Sequence, residues 1–185
     1  EPVTESTSKV ARCFYALNQS RADSKRYPAI ETVDSYSKYI DYDEFIAYAD
    51  EFIQRDWVGL VKKAKDILIK GAESRDQINI LGDDAVPIEY HMQFWKSELL
   101  DFVFLQQDSF DKVDMNCDME RQKYMFNLVM SICDIKPNFS SFTEVGDYYK
   151  RIINTMRQMN YSEFDSDQFK KFRNELDDLL KHKSE

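Results

Sequence analysis

The sequence is sparing with glycine, histidine, cysteine and long apolar runs, and each shortage closes off a class of function. Its only glycines are Gly59, Gly71, Gly82 and Gly146. They stand too far apart to build a glycine-rich phosphate loop. The two histidines, His91 and His182, are distant in sequence, and no Cys or His pair has ligand spacing, which argues against a zinc site. His91 lies on an apolar helical face and reads as a satisfied core or rim residue, while His182 sits in a charged tail. Cys13, Cys117 and Cys133 are an odd number without paired spacing, which suits reduced thiols in a cytosolic protein. No apolar run reaches the roughly 18 residues of a membrane span, and the start has no signal-peptide pattern. No basic run offsets the net charge of −9, which argues against a nucleic-acid partner. Ser, His and Asp occur without a triad arrangement. The acidic pairs Asp83-Asp84 and Asp177-Asp178 read as solvated faces or caps. Neither a catalytic residue nor a metal ligand is assigned.

What is present is a patterned, mixed composition: 43% hydrophobic and 32% charged over 185 residues, enough for one domain with a real core. Val10, Cys13, Phe14 and Leu17 share a helical face and predict a helix over about 4–22. Pro28 ends that element at the latest, and residues 27–39 read as an ordered, extended loop. Tyr42, Phe45, Ile46, Ala49, Phe52 and Ile53 form the next stripe, with Asp41 or Asp43 available as cap. Trp57, Leu60, Val61, Ala64, Ile67 and Leu68 follow, weakened locally by Gly59 and Gly71. Ile78 to Leu81 stop at Gly82; Asp83, Asp84 and Pro87 form a loop, with Pro87 suited to the first turn of the next helix. Later stripes carry His91, Trp95, Leu99 and Phe102, then Met125, Leu128, Val129 and Ile132, which Asp118 could cap and Pro137 breaks. Ser141-Phe142-Thr143-Glu144 fits a capping box ahead of Val145, Tyr149, Ile152, Met156 and Met159. Residues 165–168 offer one more cap before Phe169, Phe172, Leu176 and Leu179, and the tail from 181 should fray. No strand alternates convincingly, and there is no internal repeat or low-complexity segment. The expected fold is all-α, a bundle of about six or seven helices.

One stretch, residues 98–114, departs from the amphipathic rule. Leu99, Leu100, Phe102, Val103, Phe104 and Leu105 are apolar on nearly every side, as in a buried helix. Gln106, Gln107, Asp108 and Ser109 then turn polar, and a single aromatic, Phe110, follows. Two readings of that ring stand: it packs back on its own domain, as aromatics usually do, or the turn presents it to a cleft.

Several collinear segments carry a family likeness. EPVTESTSKVARCFYALN, KRYPAI with DSYSKY, RDWVGLVKKAKDIL, INILGDDAVP and FLQQDSFDKVDMNCDMERQ together resemble the C-terminal part of the catalytic A (alpha) subunit of V-type and A-type rotary ATPases. The likeness spans Glu1 to about Cys133, and FLQQDSFDKVD with ILGDDAVP at this distance is its most specific part. The non-catalytic B subunit resembles the chain less at QQDSF. The chain starts at Glu1-Pro2 rather than Met, as expected of a piece of a longer protein.

The resemblance implies a division of labour. Residues 1–40 would adjoin a nucleotide-binding domain that carries the P-loop and catalytic carboxylate, and 41–185 would form the C-terminal helical domain. ATP or ADP with magnesium would belong to the parent subunit, with no cofactor for the isolated chain. Partners would be the B subunits, the central rotor and the upstream domain, with no membrane insertion and a cytoplasmic position peripheral to the membrane. Residue by residue, Gln107, Ser109 and Phe110 correspond to the turn over the adenine, and Gly82, Asp83, Asp84 and Pro87 to the rotor-facing loop. The chain departs from the family at Tyr15 (usually Trp), Asn18 (Asp), Arg21 (Leu), Ser24-Lys25 (an Arg pair) and Glu31-Thr32-Val33 (Asn-Trp-Leu). These departures cluster in the first forty residues, where contacts to a neighbouring subunit or domain would lie. The competing class is a non-enzymatic helical interaction module, which the sequence upstream of Glu1 would discriminate.

Overall fold

The computed structural model describes residue 7 and residues 10–181. His182 and the tail beyond it lie outside the described residues, as does most of the start of the helix expected over 4–22. The chain divides into two compact units, Glu1–Lys65 and Asp66–Glu185.

The first unit corrects the sequence reading. Residues Cys13–Leu17 form a strand, β1, rather than a helical turn, and it pairs antiparallel with β2, Ile30–Ser37. The apolar residues at 13, 14 and 17 share a face on a helix, whereas on the strand Phe14 points away from exposed Cys13 and Leu17, so spacing alone favoured the helix. Pairing decided for the strand: Phe14 stands opposite Tyr36 with ring centroids 5.8 Å apart, and cross-strand aromatics stabilise such pairs. β2 shows little alternation because it is half-buried everywhere except Asp34. Between the strands, Asn18 caps the short helix α1, Gln19–Asp23, by accepting the Arg21 N–H, while its amide donates to Glu31 on β2.

Helix α2, Asp43–Phe52, begins at Tyr42 without a side-chain cap. Neither Asp41 nor Asp43 serves in that role; the Asp41 carboxylate instead accepts from Lys62 at 2.8 Å. Asp43 and Glu44 still favour the helix as charges in its first turn. Helix α3 runs unbroken over Trp57–Leu81, through both glycines that were expected to weaken it.

The second unit is built on α4 (Ile88–Leu100), α5 (Met119–Asp134), α6 (Phe142–Asn160) and α7 (Asp167–Lys181). Along α6, Val145, Tyr149, Ile152, Met156 and Met159 are all fully buried. Their steps of three and four keep one stripe turned inward, and α6 packs against α4 on one side and α7 on the other. Asp118 caps α5 through the Arg121 N–H at 2.8 Å, and Ser166 caps α7 through the Phe169 N–H at 3.2 Å. Ser141 caps α6 as expected; its Glu144 carboxylate takes the Ser140 N–H rather than that of Ser141. Across α3 and α4, a Cβ on Gly71 would lie 2.1 Å from the Ser97 Cβ, so that helix pair depends on a missing side chain. The described residues thus hold seven α-helices and one two-stranded hairpin, an all-α domain with a small addition. No helix among them is long and apolar enough to cross a membrane.

Candidate functional site

Helix α4 does not end at Leu100. It widens into a π turn over Asp101–Leu105, closed by the Gln106 N–H bonding back to the Asp101 carbonyl at 2.9 Å. Leu99, Leu100 and Val103 are buried as the all-round apolar pattern requires, and half-buried Phe104 stacks on Phe126 at 4.6 Å. π turns are rare and tend to occur where a helix serves a site. Here the turn delivers the chain into the polar stretch 106–114.

Three aspartates organise that stretch. The Asp108 carboxylate accepts the Phe110 N–H at 2.9 Å, and Asp111 accepts those of Val113 and Asp114 at 2.8 and 2.9 Å. Asp114 accepts the Asp108 N–H at 2.6 Å, and the Gln107 amide donates to the Asp114 carbonyl at 2.7 Å. Each is a carboxylate or amide satisfying backbone groups locally, which favours a turn over a helix. Phe110 is the consequence: its ring is 96% exposed. It does not pack back on its own domain. Ser109 beside it is exposed too. The Asp-x-x-Asp-x-x-Asp spacing of residues 108, 111 and 114 is the sequence signal of these turn pins.

The Asp114 carboxylate has a displaced titration. Burial pushes it above the ordinary value of 3.8; the Asp108 N–H and the Arg121 charge pull it back, and Asp111 and Asp108 push it up. The folded chain therefore keeps this proton to higher pH than the unfolded chain. Its stabilising contribution is fully present below the unfolded value and is lost as pH rises through the folded one. Asp114→Asn keeps an acceptor for the Asp108 N–H and removes the charge. The variant should melt above the parent at neutral pH, and the gap should close in melts taken below the ordinary carboxylate range. A gap independent of pH would show that ionisation of Asp114 is not its source.

The second group of candidate residues is a loop at the other end of α4. Gly82 has φ 85, a left-handed backbone that suits glycine. Asp83 and Asp84 follow in a 3-10 turn, and Pro87 sits at the N-cap of α4, one residue before the first turn. All four are exposed, while Val86 between them is buried. His91 mounts the loop from beneath: it is buried, stacks on Phe142 at 5.3 Å, and bonds through Nε2 to the Asp83 carbonyl at 3.0 Å. Loop and turn are thus not one site. The helical run from Ile88 to Leu105 separates them by about 25 Å at 1.5 Å per residue. Among the described residues no group of three or more His, Cys, Asp or Glu is placed to hold a metal ion.

Both regions fall within residues 47–135, which match the family described as the C-terminal domain of V and A type ATP synthase. The V-type ATP synthase alpha chain of Protochlamydia amoebophila is 33% identical over 186 residues, covering 100% of this chain and 30% of the relative. That of Borrelia duttonii is 34% identical over 183 residues, covering 99% and 30%. That of Chlamydia pneumoniae is 36% identical over 169 residues, covering 91% and 28%. The chain therefore spans about 30% of the length of the curated relatives it matches. A solved structure described as a unique ATP synthase subunit NeqB from Nanoarcheaum equitans shares the fold, with TM-score 0.50 and 22% identity over 73% of this chain and 31% of that one. The ordered likeness of the sequence segments, the helical fold and these matches agree, and through residues 47–135 the chain belongs to the family of C-terminal domains of V- and A-type ATP synthases.

Proposed function

We propose that this chain works as the C-terminal helical domain of the catalytic A (alpha) subunit of a V/A-type ATP synthase or ATPase. In that reading residues 1–40 adjoin the nucleotide-binding domain and 41–185 form the helical domain. The turn bearing Gln107, Ser109 and Phe110 covers the adenine of ATP or ADP. The loop bearing Gly82, Asp83, Asp84 and Pro87 faces the central rotor. The assembled machine, with its B subunits, couples ATP hydrolysis or synthesis to proton or sodium transport from a position peripheral to the membrane on the cytoplasmic side.

One observation carries the adenine half of this reading: a pinned turn holds an aromatic ring almost wholly in solvent. Exposing a phenylalanine gives up the roughly 1.5–3 kcal/mol that burial would contribute. Any base offers a π-face to such a ring, so stacking needs little hydrogen bonding. A single wall of this kind supplies roughly 1–3 kcal/mol. The isolated chain should therefore bind ATP with a dissociation constant weaker than about 1 mM and should not hydrolyse it. Calorimetry that found micromolar ATP binding to these 185 residues would overturn the assignment, because it would demand a phosphate site that the sequence does not contain.

A further inference from the structure

Two buried polar side chains reach the two ends of the segment that carries the turn. Asn160, the last residue of α6, donates its side-chain N–H to the Val103 carbonyl at 2.7 Å. Val103 lies in the π turn, and the chain leaves the helix at Gln106. The Asp108 N–H is already committed to Asp114, so it is not available to Val103. Arg121, in the first turn of α5, sends its guanidinium to the Met159 carbonyl at 3.2 Å and to the Asn160 carbonyl. Asn160 is 8% exposed and Arg121 4%.

The segment between Val103 and Arg121 is the one that carries Phe110. Both of its ends are thus fastened to the same place, the C-terminus of α6. A cation at a helix C-terminus is favourable in itself, and Arg121 also attracts the Asp114 carboxylate that holds the Asp108 N–H. Loss of either anchor would take a hydrogen-bond donor away from a buried carbonyl, and the network is closed enough for one loss to weaken the others.

We infer that Asn160 and Arg121 are positioning residues that set the Phe110 turn against the adenine. Neither occupies the turn; they act through the Val103 carbonyl on one side and the start of α5 on the other. The inference rests on the proposed adenine role of Phe110. A stacking contact depends on placement, and a displacement of about 1 Å at a supporting residue is enough to cost affinity.

Asn160→Leu keeps similar bulk and removes the donor. Hydrogen exchange on the full chain should show the amides of Asp108, Phe110, Val113 and Asp114 opening about tenfold faster, with Ile152 and Met156 unchanged. In the assembled ATP synthase carrying the same substitution, KM for ATP should rise several-fold while kcat holds. Arg121→Lys keeps charge and donors without the fork, and should fall between the parent and Arg121→Met in both readouts; it also serves if Asn160→Leu does not fold. Exchange that rises equally in the turn and in α6, or in neither, would overturn the inference in favour of plain packing. So would a loosened turn with unchanged KM in an enzyme whose KM does respond to Phe110→Ala. If Phe110→Ala itself leaves KM unchanged, the adenine reading fails, and selective loosening of the turn then decides positioning alone.

Discussion

In the assembled ATP synthase, Phe110→Ala should raise KM for ATP about ten- to a hundredfold, from a stacking loss of roughly 1–3 kcal/mol, while the domain melts where it did before. The two halves of this result have separate causes. Adenine is remote from the transferred phosphate, so its stacking is made about equally in the ground and transition states. Uniform binding of that kind sets KM and leaves kcat alone, unless product release limits the rate. The unchanged melting temperature follows from the exposure of the ring. A core phenylalanine cut to alanine costs about 3–5 kcal/mol, but a ring 96% in solvent has few contacts to lose, and surface substitutions stay within about 0.5 kcal/mol. Phe110→Tyr and Phe110→Trp retain a π-face and should largely restore KM. Measuring KM and melting on one preparation separates the cases: a normal KM with a lowered melting temperature would sink the adenine reading.

Gly71→Ala should be the most damaging one-carbon addition in the helical unit. The added Cβ would meet the Ser97 Cβ at 2.1 Å and its Oγ at 2.2 Å, with the Gln93 carbonyl at 3.4 Å. A rotamer change can move the hydroxyl but not the Ser97 Cβ, so α3 and α4 must separate. Overpacking of this sort costs about 1–3 kcal/mol and sometimes more, against a helix-propensity gain of about 1 kcal/mol for replacing glycine. Ser97→Gly removes both clashing atoms. The double variant Gly71→Ala/Ser97→Gly should therefore be more stable than the sum of the single changes, a coupling that denaturant titration of the four proteins measures directly. Strict additivity would show that the close approach is not what the glycine provides.

The sequence and the structure agree where the deciding forces are local. Ser141, Asp118 and Ser166 cap the helices they precede because a side-chain oxygen reaches an N–H three residues on. The α6 stripe and the burial of Leu99, Leu100 and Val103 follow from the density of apolar residues. Disagreement begins where the partner is distant. Cys13–Leu17 became a strand through residues 30–37, and nothing within the segment announces that pairing. Asp41 was taken up by Lys62, 21 residues away, and so could not cap its own neighbour. For the site, the residue types of the turn and loop were legible, but the direction of the Phe110 ring was not. It depends on a π turn at residues 101–105 and on which aspartate takes which N–H, and neither has a periodic signature.

The approach of Gly71 to Ser97 also has a mechanical meaning. Ser97 stands nearly midway along the helical run from Ile88 to Leu105, nine residues from one end and eight from the other. The point where Gly71 meets Ser97 is thus a fulcrum with arms of about 13 Å and 12 Å at 1.5 Å per residue. A rigid lever mounted this way tilts rather than slides. A tilt of roughly 5° about Ser97 would carry the acidic loop by about 1 Å one way and the base of the Phe110 turn by about the same distance the other, by the same helix geometry. Gly71→Ala, which prises the fulcrum open, should then loosen both ends together. Amide exchange at Asp84 and at Phe110 should rise in parallel, and a rise at one end only would show that the helix bends between them instead of turning as one piece.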